Sequence, residues 1–119
     1  MKLAVIGSRG FNDYDLLKSK LDYINNLKKI TCIVSGGAKG ADRLAEKWAD
    51  DNNIPKDIYY PDWNKYGKKS GFLRNEDIIK NSERVIAFHD GVSKGTLHSI
   101  NLAKKFEKPI KVIKYIDKT

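Results

Sequence analysis

Hydrophobic and polar positions fall in alternating blocks along this chain. Five short apolar runs stand out: Lys2–Ile6, Ile30–Val34, Asp57–Tyr60, Arg84–Phe88 and Ile110–Ile113. The first, second and fourth are almost continuously apolar, as strands covered on both faces of a parallel sheet are. Lys111 and Lys114 interrupt the last, which predicts a place near the sheet edge. Helical periodicity fills the gaps. From Asp13 to Lys29, Leu17, Leu21 and Ile24 share one face, and Asp13 suits the N-cap. Over Ala41–Asp51, Ala41, Leu44, Ala45, Trp48 and Ala49 recur at the i, i+3, i+4, i+7, i+8 spacing of a buried stripe. Phe72–Asn81 and Thr96–Phe106 read as two more helices. Strands alternating with helices imply right-handed βαβ crossovers, hence an α/β fold: one three-layer domain over residues 1–119 with a mostly parallel sheet of about five strands. Pro61–Gly71 is the one long polar connection, and such connections are often functional. It carries Trp63 and Tyr66; Trp63 is read first as packing over the sheet edge and second as a stacking ring.

The length of 119 residues fits a single core, and the mix of 40% hydrophobic and 32% charged residues is that of a folded globular chain. No apolar run approaches a membrane span, and MKLAVIG stops at Gly7 without a cleavage site, so no signal peptide is expected. The lone Cys32 lies within ITCIV and excludes an intrachain disulfide; it reads as an inert thiol in a reducing, cytoplasmic setting. The net charge of +8 raises a nucleic-acid reading. The surplus is mostly lysine, thinly spread, which reads as solvated surface. The four arginines say more, because Arg9, Arg43 and Arg74 sit in Gly-rich or polar motifs, and the guanidinium fork suits phosphate or carboxylate. No His/Cys/Asp cluster has metal-ligand spacing, so neither a metal nor a cofactor is expected. No nucleophile–base arrangement can be read, and the catalytic residues are unknown at this level.

Three apolar runs end in loops with chemistry. The first ends in Gly7-Ser8-Arg9-Gly10. The second ends in Ser35-Gly36-Gly37-Ala38-Lys39-Gly40-Ala41-Asp42 and the fourth in His89-Asp90-Gly91-Val92-Ser93-Lys94-Gly95-Thr96, each opening into a helix. In an open parallel sheet the carboxyl ends of the strands share one edge, so these loops should converge. Glycine permits close approach of backbone to ligand, and the N–H groups at a helix start attract anions. The candidate ligand contacts are therefore Gly7, Ser8 and Arg9; Ser35, Gly36, Gly37, Ala38, Gly40 and Asp42; Asp90, Ser93, Gly95 and Thr96; and Arg74 with Asn75 from the next helix start. Lys39 is a further source of positive charge. The second loop is neither a Walker P-loop nor GxGxxG. Each signal has a plain counterpart: a strand-to-helix turn needs glycine anyway, Asp42 serves equally to compensate a helix dipole or to hold ribose hydroxyls, and His98 reads first as a surface or packing residue, while His89, at a strand end, is placed to line the pocket.

The series GSRGF, SGGAKGADRLAE, PDWNKYGKKSGFLRNEDI and FHDGVSKGTLHSINLA resembles the SLOG superfamily, and more narrowly its small YspA-type, YpsA-related branch. The resemblance implies a Rossmann-like fold and a pocket for nucleotides or nucleotide-derived signals such as ADP-ribose-like molecules. It aligns Gly36, Gly37 and Gly40 with one Gly-rich motif, Gly95 and Thr96 with the Gly-Thr of another, and Arg74 with an arginine lining the active site of the LOG phosphoribohydrolases. Those hydrolases carry PGG-x-GT-x-x-E; here the proline is absent and Ser99 stands at the glutamate position. Serine cannot stabilise developing positive charge on ribose as a carboxylate does. The leading expectation is thus a binding module — a sensor, carrier or sponge — without membrane association. The alternatives are an N-glycosidic nucleotide hydrolase and single-stranded nucleic-acid binding; the latter predicts a continuous basic groove with exposed aromatics such as Trp63, Tyr66 and Phe72, against which the scattered lysines weigh. The resemblance also implies a homo-oligomer, for which the only hint in the chain is an apolar surface around Trp48 and Phe106 if these are not core.

Overall fold

The computed structural model describes residues 1–116. Side chains alternate across a strand, and the first strand, β1 (Lys2–Gly7), is apolar on both faces. Leu3 and Val5 join one cluster with Leu17, Leu21 and Trp48; Ala4 and Ile6 join another with Ile79, Ile100 and Ala103. That double burial sets the three layers. Helices α1 (Tyr14–Leu27) and α2 (Ala41–Asp51) cover one face, and α4 (Ser70–Lys80) and α5 (Lys94–Lys105) cover the other. The remaining strands are β2 (Cys32–Ser35), β3 (Lys56–Ile58), β4 (Arg84–His89) and β5 (Ile110–Lys114).

All strand pairings are parallel, in the order β3-β2-β1-β4-β5, a Rossmann-like sheet. The chain runs outward from β1 through β2 to β3, then returns to lay β4 on the other side of β1, with Val5 opposite Ile86 and Gly7 opposite Phe88. Connections leaving β1 and β4 therefore diverge to opposite faces, and a crevice opens between their carboxyl ends. β5 lies at the edge, as its lysines predict.

Several boundaries and one tryptophan differ from the sequence expectation. Ile30 is buried, but its N–H donates to Asn25 Oδ1 (2.8 Å), so β2 starts only at Cys32. The third strand is Lys56–Ile58, and Tyr60 already lies exposed beyond it. Pro61–Gly71 is largely helical. Asp62 accepts the Lys65 N–H (3.1 Å) and starts the short helix α3 (Trp63–Tyr66), a 3-10 turn follows over Gly67–Lys69, and α4 begins at Ser70 rather than Phe72. α5 begins two residues before Thr96. Asp13 does cap α1, accepting the Leu16 N–H at 3.0 Å. Trp48 is fully buried, as its stripe predicts, and its indole N–H donates to Asp22 (2.9 Å), while Phe106 is half-buried against the second cluster, so both belong with the core. Trp63 is 60% exposed and is not packing over the sheet edge. Cys32 is half-buried, and burial raises its thiol pKa. Among the described residues, no helix is long and apolar enough to cross a membrane.

Candidate functional site

The crevice between β1 and β4 holds a pocket of about 410 Å³. Its wall from the first loop is Gly7, Ser8, Arg9 and Gly10; from the α2 start come Ala38 and Asp42; from α4, Arg74, Asn75 and Ile78; from the β4–α5 turn, Asp90 and Ser93; and from α5, Gly95, Thr96 and Ser99. Ile6 contributes apolar floor.

Backbone bonds hold the two central loops together. Ser8 N–H donates to the Phe88 carbonyl (3.0 Å), and Asp90 N–H donates to Ser8 Oγ (3.3 Å). The Asp90 carboxylate accepts from Val92 N–H (2.9 Å) and Ser93 N–H (2.8 Å), which shapes the turn into α5 and lowers its pKa. His89 Nε2 donates to the Ser93 carbonyl at 3.2 Å, so His89 is a turn brace. The result presents the first turn of α5 to the pocket, where backbone N–H groups lack intrahelical acceptors. Ser93 Oγ and Thr96 Oγ1, 3.2 Å apart, add hydroxyls there.

On the opposite side, Arg74 is fixed from two directions. Its Nη1 donates to the Gly36 carbonyl (2.7 Å) and its Nε to Asn75 Oδ1 (3.0 Å). That bond orients the Asn75 amide, whose Nδ2 donates to His98 Nδ1 (3.4 Å), and His98 in turn stacks edge-on with Phe72 at 4.6 Å. Three of the five guanidinium N–H donors remain available beside the pocket. Asp42 is buried and accepts the Ala38 N–H at 3.1 Å. Burial pushes its pKa up to about 6, against the pull of the Ala38 N–H and of the Arg74 charge. Burial likewise lowers Arg74, while Asp42 supports its charged form.

Four expected contact residues stay outside the pocket lining. Ser35 is fully buried; its hydroxyl donates to Glu46 Oε2 (2.9 Å) and accepts from Gly37 N–H (3.3 Å). Gly36 stands behind Arg74: a Cβ there would lie 2.8 Å from Nη1 and 3.0 Å from Asp42 Oδ2. Gly37 packs under Tyr60, and Gly40, at φ +84°, presses on the carbonyls of Ser8 and Arg9. These residues build the wall rather than face the cavity, because β2 lies one strand away from the switch point. Lys39 is exposed outside the pocket. Conversely, Gly10, Ile78 and the apolar Ile6 line the pocket without being among the expected contacts, as does Ser99, which the sequence marks only as the place of a missing glutamate. A helical signal existed for two of them: Ile78 is four residues from Arg74, and Ser99 is four from Gly95, on the same helix faces.

The model of the YspA, cpYpsA-related SLOG family matches residues 1–66, which takes in the first two Gly-rich loops. Over 116 residues the chain is 33% identical to the Gene 61 protein of Mycobacterium phage D29, covering 92% of this chain and 93% of that protein. No solved structure matches the chain.

Proposed function

The chain belongs to the YspA, cpYpsA-related SLOG family, and on that premise we propose that it binds a nucleotide or nucleotide-derived ligand in the pocket between β1 and β4. The observation that carries the reading is the polarity of the pocket. One wall offers the start of α5 with Ser93 and Thr96, the other the braced Arg74, and the buried carboxylate of Asp42 stands between Ala38 and Arg74. Phosphate fits the donors of the α5 start and Arg74, and ribose hydroxyls fit Asp42 as acceptor. Arg9, exposed at the mouth, adds attraction for an anion.

The test is calorimetry and thermal shift with AMP, ADP-ribose, cyclic ADP-ribose isomers and cyclic dinucleotides. A ligand at a hundred times its Kd stabilises the fold by about 2.7 kcal/mol. Arg74→Ala is expected to weaken binding at least about tenfold, since a charge-assisted bond is worth about 1.5–3 kcal/mol. Absence of a shift with every nucleotide, or an Arg74→Ala variant that binds as wild type, refutes the reading.

One observation favours a second reading, cleavage of the N-glycosidic bond: Asp42 lines the pocket as a buried carboxyl whose pKa is pushed up to about 6, although Ser99 replaces the hydrolase glutamate. Mass spectrometry of bound ligand decides it. Release of free base that Asp42→Asn abolishes supports hydrolysis, and intact ligand supports binding alone.

A further inference from the structure

A chain that buries Trp48 completely leaves Trp63 60% exposed. Of the exposed aromatic rings among the described residues, all but Tyr23 lie between positions 60 and 72. The same stretch carries Lys65, Lys68 and Lys69, all exposed, and neither Lys68 nor Lys69 takes part in an ion pair among the described residues. Its single carboxylate, Asp62, is occupied in capping α3. The stretch is also held in place. The Trp63 ring comes within 4.0 Å of where a Cβ on Gly71 would stand, ordinary van der Waals range of the start of α4. Phe72 rests edge-on against His98, and Lys69 and Phe72 line a separate hollow of about 300 Å³ with Glu76 and His98.

We propose that this α3–α4 strap is a binding surface for single-stranded nucleic acid, distinct from the β1–β4 pocket: Trp63, Tyr66 and Phe72 stack bases, and Lys65, Lys68 and Lys69 meet phosphates. Rings spaced among cations on one exposed segment are what a flexible polyanion with splayed bases requires. A second copy of this chain fits the patch poorly. Lysine is depleted in protein interfaces, and two chains of net charge +8 would bring like-charged patches together. Lys65, Lys68 and Lys69 stand among the bare rings, so cations and stacking surfaces share one segment.

The experiment is fluorescence anisotropy of the full chain with a labelled oligodeoxythymidylate of about a dozen nucleotides, starting at low salt. Tryptophan emission is read in parallel; Trp48 is buried, so quenching reports Trp63. The expected result is binding with quenching, weakened about tenfold in Trp63→Ala, restored in Trp63→Phe, and unaffected by saturating AMP. Lys68→Glu with Lys69→Glu is expected to reduce the slope of log affinity against log salt by about 1.4. Because these side chains are exposed, the variants keep the wild-type thermal melt. Four results overturn the proposal: no binding at the lowest salt, wild-type affinity in Trp63→Ala, displacement of the strand by AMP, or a dimer that Trp63→Ala dissociates. Failure here leaves mononucleotide binding in the pocket untouched, and failure there leaves the strap to be read on its own.

Discussion

The turn after β2 and the turn after β4 are both rich in glycine and both open into a helix, yet their glycines meet different surroundings. In the first, Gly36 lies against Arg74 and Asp42, and Gly40 against the carbonyls of Ser8 and Arg9. In the second, a Cβ on Gly91 or Gly95 would meet nothing within 4 Å. Missing side chains in the first turn are filled by protein; in the second they leave space. One motif serves packing and places two of the pocket's charged groups, Arg74 and Asp42. The other holds the space open and presents helix N–H groups to it. Glycine content alone therefore does not say which turn touches a ligand.

The largest expected effect breaks the first turn. Gly40→Ala forces a Cβ onto a residue at φ +84° and to 2.6 Å from the Arg9 carbonyl oxygen. Strain and overpacking together are expected to cost about 4 kcal/mol, measured as a lower urea midpoint at constant m. A loss under about 1 kcal/mol would mean the turn relaxes freely and is not packed as described.

Next comes the carboxylate that the first turn buries. Asp42 titrates near 3.8 when unfolded and at about 6 when folded. Between those values the native state holds more protons than the unfolded one, so stability falls as pH rises through that window and levels off above it. The amplitude is about 3 kcal/mol, from about 1.4 kcal/mol per pKa unit. Asp90, in the second turn, behaves oppositely: its pKa is lowered by the Val92 and Ser93 N–H groups, so its contribution is present above 3.8 and lost as pH falls further. Urea midpoints from pH 3 to 8 separate the two windows, and Asp42→Asn is expected to flatten only the upper one. A wild-type curve flat between 3.8 and 6 would contradict the buried, charge-penalised Asp42.

The smallest effect on stability sharpens the comparison most. Gly95→Ala is expected to change the unfolding free energy by less than about 0.5 kcal/mol, because its Cβ meets no protein atom. Gly95 lines the pocket, so nucleotide affinity measured by calorimetry is expected to fall while the melt stays put. Marked destabilisation would erase the distinction between the two turns.

Much of this architecture was legible in order and type of residue. Continuous apolar runs at Leu3–Ile6 and Val85–Phe88 foretell strands covered on both faces, and the lysines of β5 foretell an edge. Asp13 reads as a cap and is one. The failures have physical causes. Ile30 is apolar and buried but gives its N–H to Asn25, a side chain no strand pattern reveals. The segment from Pro61 to Gly71 looks like loop because its rings and lysines show no apolar stripe, and α3 is a cap-driven turn rather than a packed helix. Trp63 and Trp48 are the same residue type with opposite fates; only the i+3, i+4 stripe around Trp48 hinted at which was core.

Local periodicity, turn chemistry and capping thus belonged to the sequence itself, because each depends on residues a few positions apart. They determined an α/β chain with a parallel sheet and Gly-rich turns on one edge. Which of those turns faces a ligand was decided by tertiary structure. Arg74 reaches the Gly36 carbonyl across 38 positions, and Asp90 reaches Ser8 across 82. Contacts so distant in the chain are set by the order of strands in the sheet, and the role of a glycine or an arginine is fixed only by what that order brings against it.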